Sequence, residues 1–236
     1  LGLVMVNYRP DRRFVKALVF SGVLSIGCVV AAEESGNSAC SNSEMLSVDF
    51  FVKIWNEANP FLVSVPTAFL DRSFRPSPAS TQDSLLLDVD IRGFVPWEGG
   101  NLENHMGILV TEYIDLNEIA QSQAKLQTGT PLSTDVQYPI ESAPFGLKEL
   151  VFEKGQTRRD ASNIYVASQD FETDDPNGIT DVIVCKKDGE VPYPSCQHYI
   201  DAPLADIKVS YRRGHLRDWV LISEQVRDFW DCATSF

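Results

Sequence analysis

The sequence predicts an α+β fold, mainly an antiparallel β-sheet with a C-terminal amphipathic helix packed on it. Two observations support this prediction. In the second half of the chain, short β-prone runs are separated by Gly, Asp, Asn and Pro, a spacing typical of antiparallel sheets. After these runs, apolar residues recur every three or four positions, as they do along one face of a helix. Strands followed by one amphipathic helix predict a sheet that is covered on at least one face.

The first half of the chain contains fewer regular patterns. Strands are predicted at 61–65, where Pro66 ends the run, and at 85–94 and 107–114. In 85–94 the apolar side chains alternate with polar ones, which is the period of a half-buried strand. The inner face would carry Leu85, Leu87, Val89 and Ile91. Residues 45–55 are apolar without a period that separates helix from strand, and the Ala- and Gln-rich segment 117–127 predicts a weak helix or a loop.

The second half has the clearer pattern. Five strands are predicted, at 147–153, 163–167, 180–185, 197–201 and 207–211. The helix that follows has an apolar stripe formed by Leu216, Trp219, Ile222, Val226 and Phe229, with charged residues on the other side. A stripe of this width indicates a face buried against the sheet.

The N-terminal 32 residues predict an export signal. Basic residues precede a long apolar run, which is the order found in secretory signal peptides: Arg9, Arg12, Arg13 and Lys16. We expect cleavage after Ala32, where small side chains precede an abrupt change to polar chain. Lipidation at Cys28 is one alternative, and an uncleaved membrane anchor is another, because about 20 apolar residues can span a bilayer. All three outcomes predict a periplasmic or envelope-associated protein.

The remainder is predicted to be a flexible tether, residues 33–43, and a single acidic β-rich domain, residues 44–236. The full chain has 20 Lys and Arg against 33 Asp and Glu, and residues 1–32 hold four of those bases and one acid. The part after the signal therefore has 16 bases against 32 acids. Such a surface repels the phosphates of nucleic acids and attracts basic partners, so we expect no nucleic-acid binding and a protein partner with a basic or mixed surface.

Cysteine usage agrees with export. Cleavage after Ala32 leaves Cys40, Cys185, Cys196 and Cys232, and an even number in an oxidising compartment favours disulfides. Cys185 ends one predicted strand and Cys196 begins the next, so we expect a disulfide across the loop between them. Cys40 and Cys232 would then pair by elimination and fasten the tether to the C-terminal end. Free thiols are the alternative.

No motif for catalysis, metal or cofactor binding is present. The three histidines do not have the spacing of a helical zinc pair, and the glycine-rich signatures of nucleotide sites and the serine elbow of hydrolases are absent. Asp88 and Asp90 share one face of the strand predicted at 85–94. The alternation of apolar and polar residues there indicates that this is the solvent face, rather than a catalytic pair. We therefore predict no catalytic residue, no metal ligand and no cofactor.

An acidic segment in the second half is the predicted partner-binding site. It is formed by Asp170, Glu172, Asp174 and Asp175. Its composition is that of a calcium loop, but it lacks the glycine and the closing glutamate of the EF-hand spacing. We expect an exposed loop that contacts a protein partner, because charge is combined there with turn-forming residues.

The arrangement of the second half resembles that of a known group of exported proteins. Phe145-Gly146-Leu147 begins a strand, a loop joins Cys185 to Cys196, and Val209-Ser210-Tyr211 precedes the helical stripe. Val65-Pro66 with Phe69-Leu70 extends the likeness into the first half. This order is similar to that of bacterial immunity proteins against type VI secretion lipase effectors. The resemblance implies a periplasmic inhibitor that binds a secreted antibacterial toxin and has no catalytic activity of its own.

Three classes of function follow from these observations. We expect an exported binding protein that neutralises a toxin, with a possible membrane tether at its N-terminus. A structural or assembly component of the cell envelope has the same charge balance and lack of motifs. An envelope hydrolase whose site is assembled from loop residues is the third class.

Overall fold

The computed structural model describes residues 45–54, 59–112, 115–152, 162–168 and 178–235. The predicted signal peptide, the tether with Cys40, and the acidic segment 170–175 lie outside the described residues. Within the described part, the chain forms two β-sheets and two α-helices. The antiparallel α+β architecture predicted from the sequence is confirmed.

The smaller sheet has three strands: β1 (Ser47–Val52), β2 (Phe61–Pro66) and β3 (Thr81–Gln82). Their spatial order is β2-β1-β3, with β1 antiparallel to β2 and parallel to β3. The ambiguous segment 45–55 thus contains a strand, Ser47–Val52. Its side chains at Val48, Phe50 and Val52 alternate into the core. The predicted strand at 61–65 is confirmed by β2.

The larger sheet has nine strands, all paired antiparallel. They are β4 (Leu85–Asp90), β5 (Val95–Pro96), β6 (His105–Glu112), β7 (Ile140–Ser142), β8 (Lys148–Leu150), β9 (Asn163–Ser168), β10 (Ile179–Cys185), β11 (Ser195–Ile200) and β12 (Asp206–Arg212). Their spatial order is β5-β4-β6-β12-β11-β10-β9-β8-β7. The strands β9 to β12 are neighbours in sequence order, as expected for a meander.

The alternation predicted for 85–94 holds along β4. Leu85, Leu87, Val89 and Ile91 are all buried. The strand ends at Asp90 rather than continuing to Phe94, because Ile91 to Phe94 form a turn. Phe94 closes this turn with a left-handed backbone, φ 48°, and its ring packs on Phe229 with centroids 5.6 Å apart. The core contact of Phe94 explains how a bulky residue is held in that conformation.

The two helices, α1 (Leu116–Thr128) and α2 (Trp219–Thr234), cover opposite faces of the larger sheet. Successive residues of β10 point to opposite faces, and Val182 packs in one apolar cluster with α1 while Ile183 packs in the other with α2. The segment 117–127 is therefore a helix. Its partly apolar face buries Leu116, Ile119, Ala120 and Ala124.

All five residues of the predicted C-terminal stripe are buried, which confirms the amphipathic helix. The α-helix begins later than the stripe, because Arg213–Asp218 forms a 3-10 turn that contains Leu216. Trp230 joins the smaller sheet to α2 by an edge-on contact with Phe61, with ring centroids 5.8 Å apart. Helix α2 is thus packed against both sheets. No helix within the described residues has the length and hydropathy needed to span a bilayer.

Candidate protein-binding site

A disulfide between Cys185 and Cys196 closes the loop that joins β10 to β11. The two cysteines are directly paired in register, with Cα atoms 4.0 Å apart, and both are fully buried. The structure thus contains the disulfide expected from the sequence. The loop it closes, residues 186–195, is called the clamped loop below. Cys232 lies in α2, but Cys40 is outside the described residues, so their pairing stays a prediction.

Two arginines, the last residue of β12 and the residue after it, also contact the clamped loop. The Arg212 guanidinium donates to the Tyr193 carbonyl over 3.1 Å and lies 5.1 Å from the centre of the Tyr193 ring. Arg213 donates to the Lys186 carbonyl over 2.9 Å and forms an ion pair of 3.2 Å with Asp188. The loop is therefore held at both ends by covalent and charge-assisted bonds, which restricts its conformations.

A cleft of 320 Å³ lies beside the clamped loop. Its walls come from the turn before β8, from β9, from the clamped loop and from the 3-10 turn that precedes α2: Pro144, Phe145, Tyr165, Asp188, Arg213, Gly214, Leu216 and Arg217. The volume is at the lower end of the range of about 300–1,000 Å³ for ligand pockets. A cleft of this size accommodates one or two side chains of a partner rather than a large cofactor.

The rim of the cleft has a strained backbone. Phe145 adopts a left-handed conformation, φ 65°, while its side chain is about half exposed. The Trp219 indole donates to the Phe145 carbonyl over 2.9 Å and holds the turn in place. A non-glycine residue with positive φ carries a conformational cost, and such residues cluster at functional sites. The Phe145 ring is exposed and stands on a strained backbone, which makes this rim a candidate contact surface.

Hydrogen-bond donors converge on the floor of the cleft. Arg213 donates to Asn163 Oδ1 over 3.0 Å and to the Tyr165 hydroxyl over 3.3 Å. Burial raises the pKa of Tyr165, so its hydroxyl keeps its proton. Because that oxygen accepts from Arg213, its proton points elsewhere, and no acceptor for it lies among the described residues. Arg217 is exposed and makes no hydrogen bond or ion pair within the described part of the chain.

The basic residues near the cleft contrast with the acidity of the whole chain. The full sequence has a formal net charge of −13. Around the clamped loop and the start of α2, however, five bases come from two short stretches of sequence: Lys186, Lys187, Arg212, Arg213 and Arg217. This clustering was visible in the sequence, but the strand pattern did not show that the two basic stretches meet.

A second polar cluster lies inside the protein and was not predicted. The Asp181 carboxylate accepts from His198 Nε2 over 2.8 Å and from the Ser223 hydroxyl over 2.5 Å. Arg227 donates to its other oxygen over 3.1 Å and to Ser223 over 2.6 Å. The Tyr211 hydroxyl lies 3.3 Å from His198 Nδ1. We call these five residues the Asp181 cluster.

The Asp181 cluster contains Asp, His and Ser but not the geometry of a catalytic triad. In a triad the histidine lies between the carboxylate and the serine, whereas here the Asp181 carboxylate lies between His198 and Ser223. The side chains of Asp181 and His198 are 2% and 0% exposed. The cluster therefore ties β10, β11 and β12 to α2 and is closed to a substrate.

The remaining residues considered from the sequence have separate partners. Asp88 accepts from His105 over 2.8 Å, and Asp90 forms an ion pair with Arg92. The carboxylates thus do not act as a pair on this face. His215 lies in the 3-10 turn rather than in the helix, and its Nε2 bonds the Glu103 carbonyl over 2.9 Å. No group of three or more potential metal ligands occurs among the described residues. The acidic segment predicted as partner-binding, Asp170 to Asp175, lies outside the described residues.

The chain was compared with protein-family models, curated proteins and solved structures. No protein-family model matches the chain, and no curated protein matches it. Among solved structures, the chain is similar to an immunity protein of the Stenotrophomonas maltophilia type IV secretion system, with a TM-score of 0.52 and 16% identity over 77% of this chain and 91% of that one. It also matches an iron-regulated outer membrane lipoprotein of Neisseria meningitidis, with a TM-score of 0.45 and 8% identity over 80% of this chain and 93% of that one. The first likeness shows a shared fold.

Proposed function

We propose that this chain is an exported binding protein that neutralises a secreted antibacterial toxin by association, without catalysis of its own. The observation that carries the proposal is the fold it shares with an immunity protein of a bacterial secretion system. The sequence resemblance to immunity proteins supports it independently. Because one fold can host several functions, a binding protein also requires a surface that can contact a partner. The clamped loop and the adjacent cleft supply such a surface.

The location proposed is the periplasm or the envelope. The disulfide between Cys185 and Cys196 supports this location, because disulfides persist in oxidising compartments and are rare in the cytosol. The predicted signal supports it as well. The sequence resemblance favours lipase effectors of type VI secretion as the toxin, whereas the structural neighbour belongs to a type IV system. Effectors of both systems should therefore be tested.

The proposal is tested by protection of living cells. Toxins encoded beside this gene are expressed in the periplasm of a sensitive host, with and without the full chain. We expect survival to be restored only by the full chain, and not by a version lacking residues 1–32, which stays in the cytoplasm. Failure to protect against any neighbouring toxin, together with hydrolytic activity of the purified protein, would contradict the proposal in favour of an envelope enzyme.

The acidic segment is the proposed first contact with a basic region of the toxin. Neutralising Asp170, Glu172, Asp174 and Asp175 together should slow association without lowering the unfolding temperature, because charge steers encounter more than it stabilises the complex. Raising salt should slow association of the wild type more than it speeds dissociation. Unchanged association kinetics in the neutralised variant would remove this segment from the interface.

A further inference from the structure

We infer that the cleft beside the clamped loop is a docking site for an acidic side chain, Asp or Glu, presented by an exposed segment of the protein partner. This inference rests on the proposed function for the identity of the partner. It does not depend on that function for the chemistry of the cleft. The cleft is basic, and is therefore opposite in charge to the acidic segment Asp170 to Asp175 that is proposed as the first contact.

The donors in the cleft determine which group it would bind. The Tyr165 hydroxyl proton, the second N–H of Arg213 Nη2 and the whole Arg217 guanidinium are left without acceptors among the described residues. All three are donors, and two belong to permanently charged groups. A carboxylate is an acceptor with two oxygens, and a guanidinium binds it through parallel hydrogen bonds.

One carboxylate already lines the cleft. Asp188 pairs with Arg213 Nε, and its side chain is 78% exposed. A second carboxylate, Glu149, lies near the cleft and accepts from Asn163 over 2.6 Å, whereas Arg217 forms no ion pair within the described residues. The lining of the cleft therefore has two positive charges, Arg213 and Arg217, against one negative charge, Asp188. This local excess would attract a carboxylate, although the net charge of the whole chain is negative.

The apolar lining sets the form of the occupant. Phe145, Pro144 and Leu216 offer hydrocarbon surface beside the donors, which suits the methylene stem of a Glu or Asp side chain. The volume of 320 Å³ limits entry to a side chain and its immediate neighbours. A partner loop with an acidic residue at its tip fits these requirements.

The walls of the cleft are already fixed by hydrogen bonds and ion pairs, which favours binding of a carboxylate without rearrangement. Phe145 is held by Trp219, and Arg213 is held by Asn163, Lys186 and Asp188. Side chains that are already fixed lose little further freedom when a ligand binds. Arg217 alone would be ordered by the incoming carboxylate.

The test uses the full chain and a probe of known chemistry. A capped hexaglutamate peptide is titrated into protein labelled with ¹⁵N, and the side-chain N–H signals of the arginines are followed by NMR. A capped hexaglutamine peptide is the uncharged control. We expect the signals of Arg213 and Arg217 to shift with hexaglutamate only, and the shifts to weaken as salt is raised.

Two exposed arginines provide matched variants. Arg217→Gln removes the proposed contact, while Arg92→Gln makes the same change of charge at a turn where the arginine pairs with Asp90. Arg217→Gln should weaken hexaglutamate binding about tenfold or more, as expected for loss of a hydrogen bond between charged groups. Arg92→Gln should change it by no more than about twofold, through long-range charge alone. Equal effects of the two variants, or no binding by the wild type, would overturn the inference.

Two further outcomes separate this inference from the proposed function. If Arg217→Gln loses peptide binding and the wild type protects against no toxin, the cleft is an acidic-peptide site and the proposed function is wrong. If the wild type and Arg217→Gln protect equally against a toxin, the function holds and the cleft is not part of the interface. Tighter binding of inorganic phosphate than of hexaglutamate would also overturn the inference, because the site would then select phosphate.

Discussion

The Asp181 cluster predicts a large loss of stability from one substitution, and the same chain supplies a matched control. Asp181 and Asp88 each accept a hydrogen bond of 2.8 Å from a histidine on a neighbouring strand. The pairs differ in burial: the histidine and aspartate side chains are 0% and 2% exposed in the first pair, and 29% and 16% exposed in the second. Asp181 also accepts from Ser223 and Arg227, so the two sites differ both in burial and in the number of donors that lose an acceptor.

Asp181→Ala removes the acceptor for three groups, His198, Ser223 and Arg227. The loss should cost about 3–5 kcal/mol, because His198 and Ser223 stay buried without an acceptor and Arg227 loses its counter-charge. Asp88→Ala should cost about 0–1 kcal/mol, since both side chains of this pair are partly exposed and water can replace the lost partner. Urea unfolding followed by tryptophan fluorescence gives both free energies by linear extrapolation. A cost below about 1 kcal/mol for Asp181→Ala, or equal costs for the two variants, would refute the reasoning.

The same carboxyl predicts a dependence on pH. Burial alone would raise the pKa of Asp181, but the hydrogen bond from His198 and the attraction of His198 and Arg227 outweigh it and hold the pKa below its usual value. A carboxyl with a lowered pKa stabilises the fold above its unfolded pKa and loses that contribution as pH falls through its folded pKa. The stability difference between wild type and Asp181→Asn should therefore be largest above about pH 5 and shrink steadily below about pH 4. A difference that stays constant down to the acid limit would exclude Asp181 as the titrating group.

Two further predictions concern packing and the disulfide. Replacing both Cys185 and Cys196 with serine should lower the unfolding free energy by about 2–4 kcal/mol, measured by urea unfolding under non-reducing conditions; no change would mean that the arginine contacts alone hold the clamped loop. Trp219→Ala should cost about 3–5 kcal/mol, because a buried aromatic and its hydrogen bond to Phe145 are lost. The neighbouring exposed Val220 is the control, and Val220→Ala should change stability by no more than about 0.5 kcal/mol.

Two of the elements predicted correctly from the sequence, β4 and α2, have a regular alternation of buried and less buried positions. In β4 and α2 this alternation appears directly as a period of two or of three to four residues, so burial can be assigned before the fold is known. In β1 the pattern is obscured, because Phe51 lies on the outer face and breaks the apolar-polar alternation. The segment forms a strand because β2 pairs with one of its edges and β3 with the other.

Helix α1 was undecided for a different reason. Its buried positions include Ala120 and Ala124, small residues that give a weak contrast between faces. The better signals were at its ends. Asp115 caps the helix by accepting from the backbone N–H groups of Asn117 and Glu118, and Gly129 ends it with a left-handed backbone, φ 73°. Attention to these capping residues would have separated helix from loop.

The cleft and the Asp181 cluster could not be predicted by pattern. Their contacts join residues far apart in sequence, such as Tyr165 with Arg213 and Asp181 with Arg227. Burial of a strand face was predicted from apolar residues at alternate positions. His198 and Asp181 are polar residues at buried positions, so this pattern does not predict that they are buried. Only the order of strands in the larger sheet brings their elements together.

Helix α2 connects these long-range contacts to the cleft proposed as a binding surface. At its start, Trp219 holds the Phe145 turn, and in its middle Arg227 binds the carbonyls of Thr180 and Asp201 over 3.0 and 3.1 Å. Further along, the Trp230 indole donates to the Pro203 carbonyl over 2.6 Å. The helix is thus attached to the sheet by polar bonds as well as by its apolar stripe. One wall of the cleft is the turn that begins this helix, so the position of the wall is set by the same bonds that stabilise the fold. Binding at the proposed site would therefore require little further ordering of that wall.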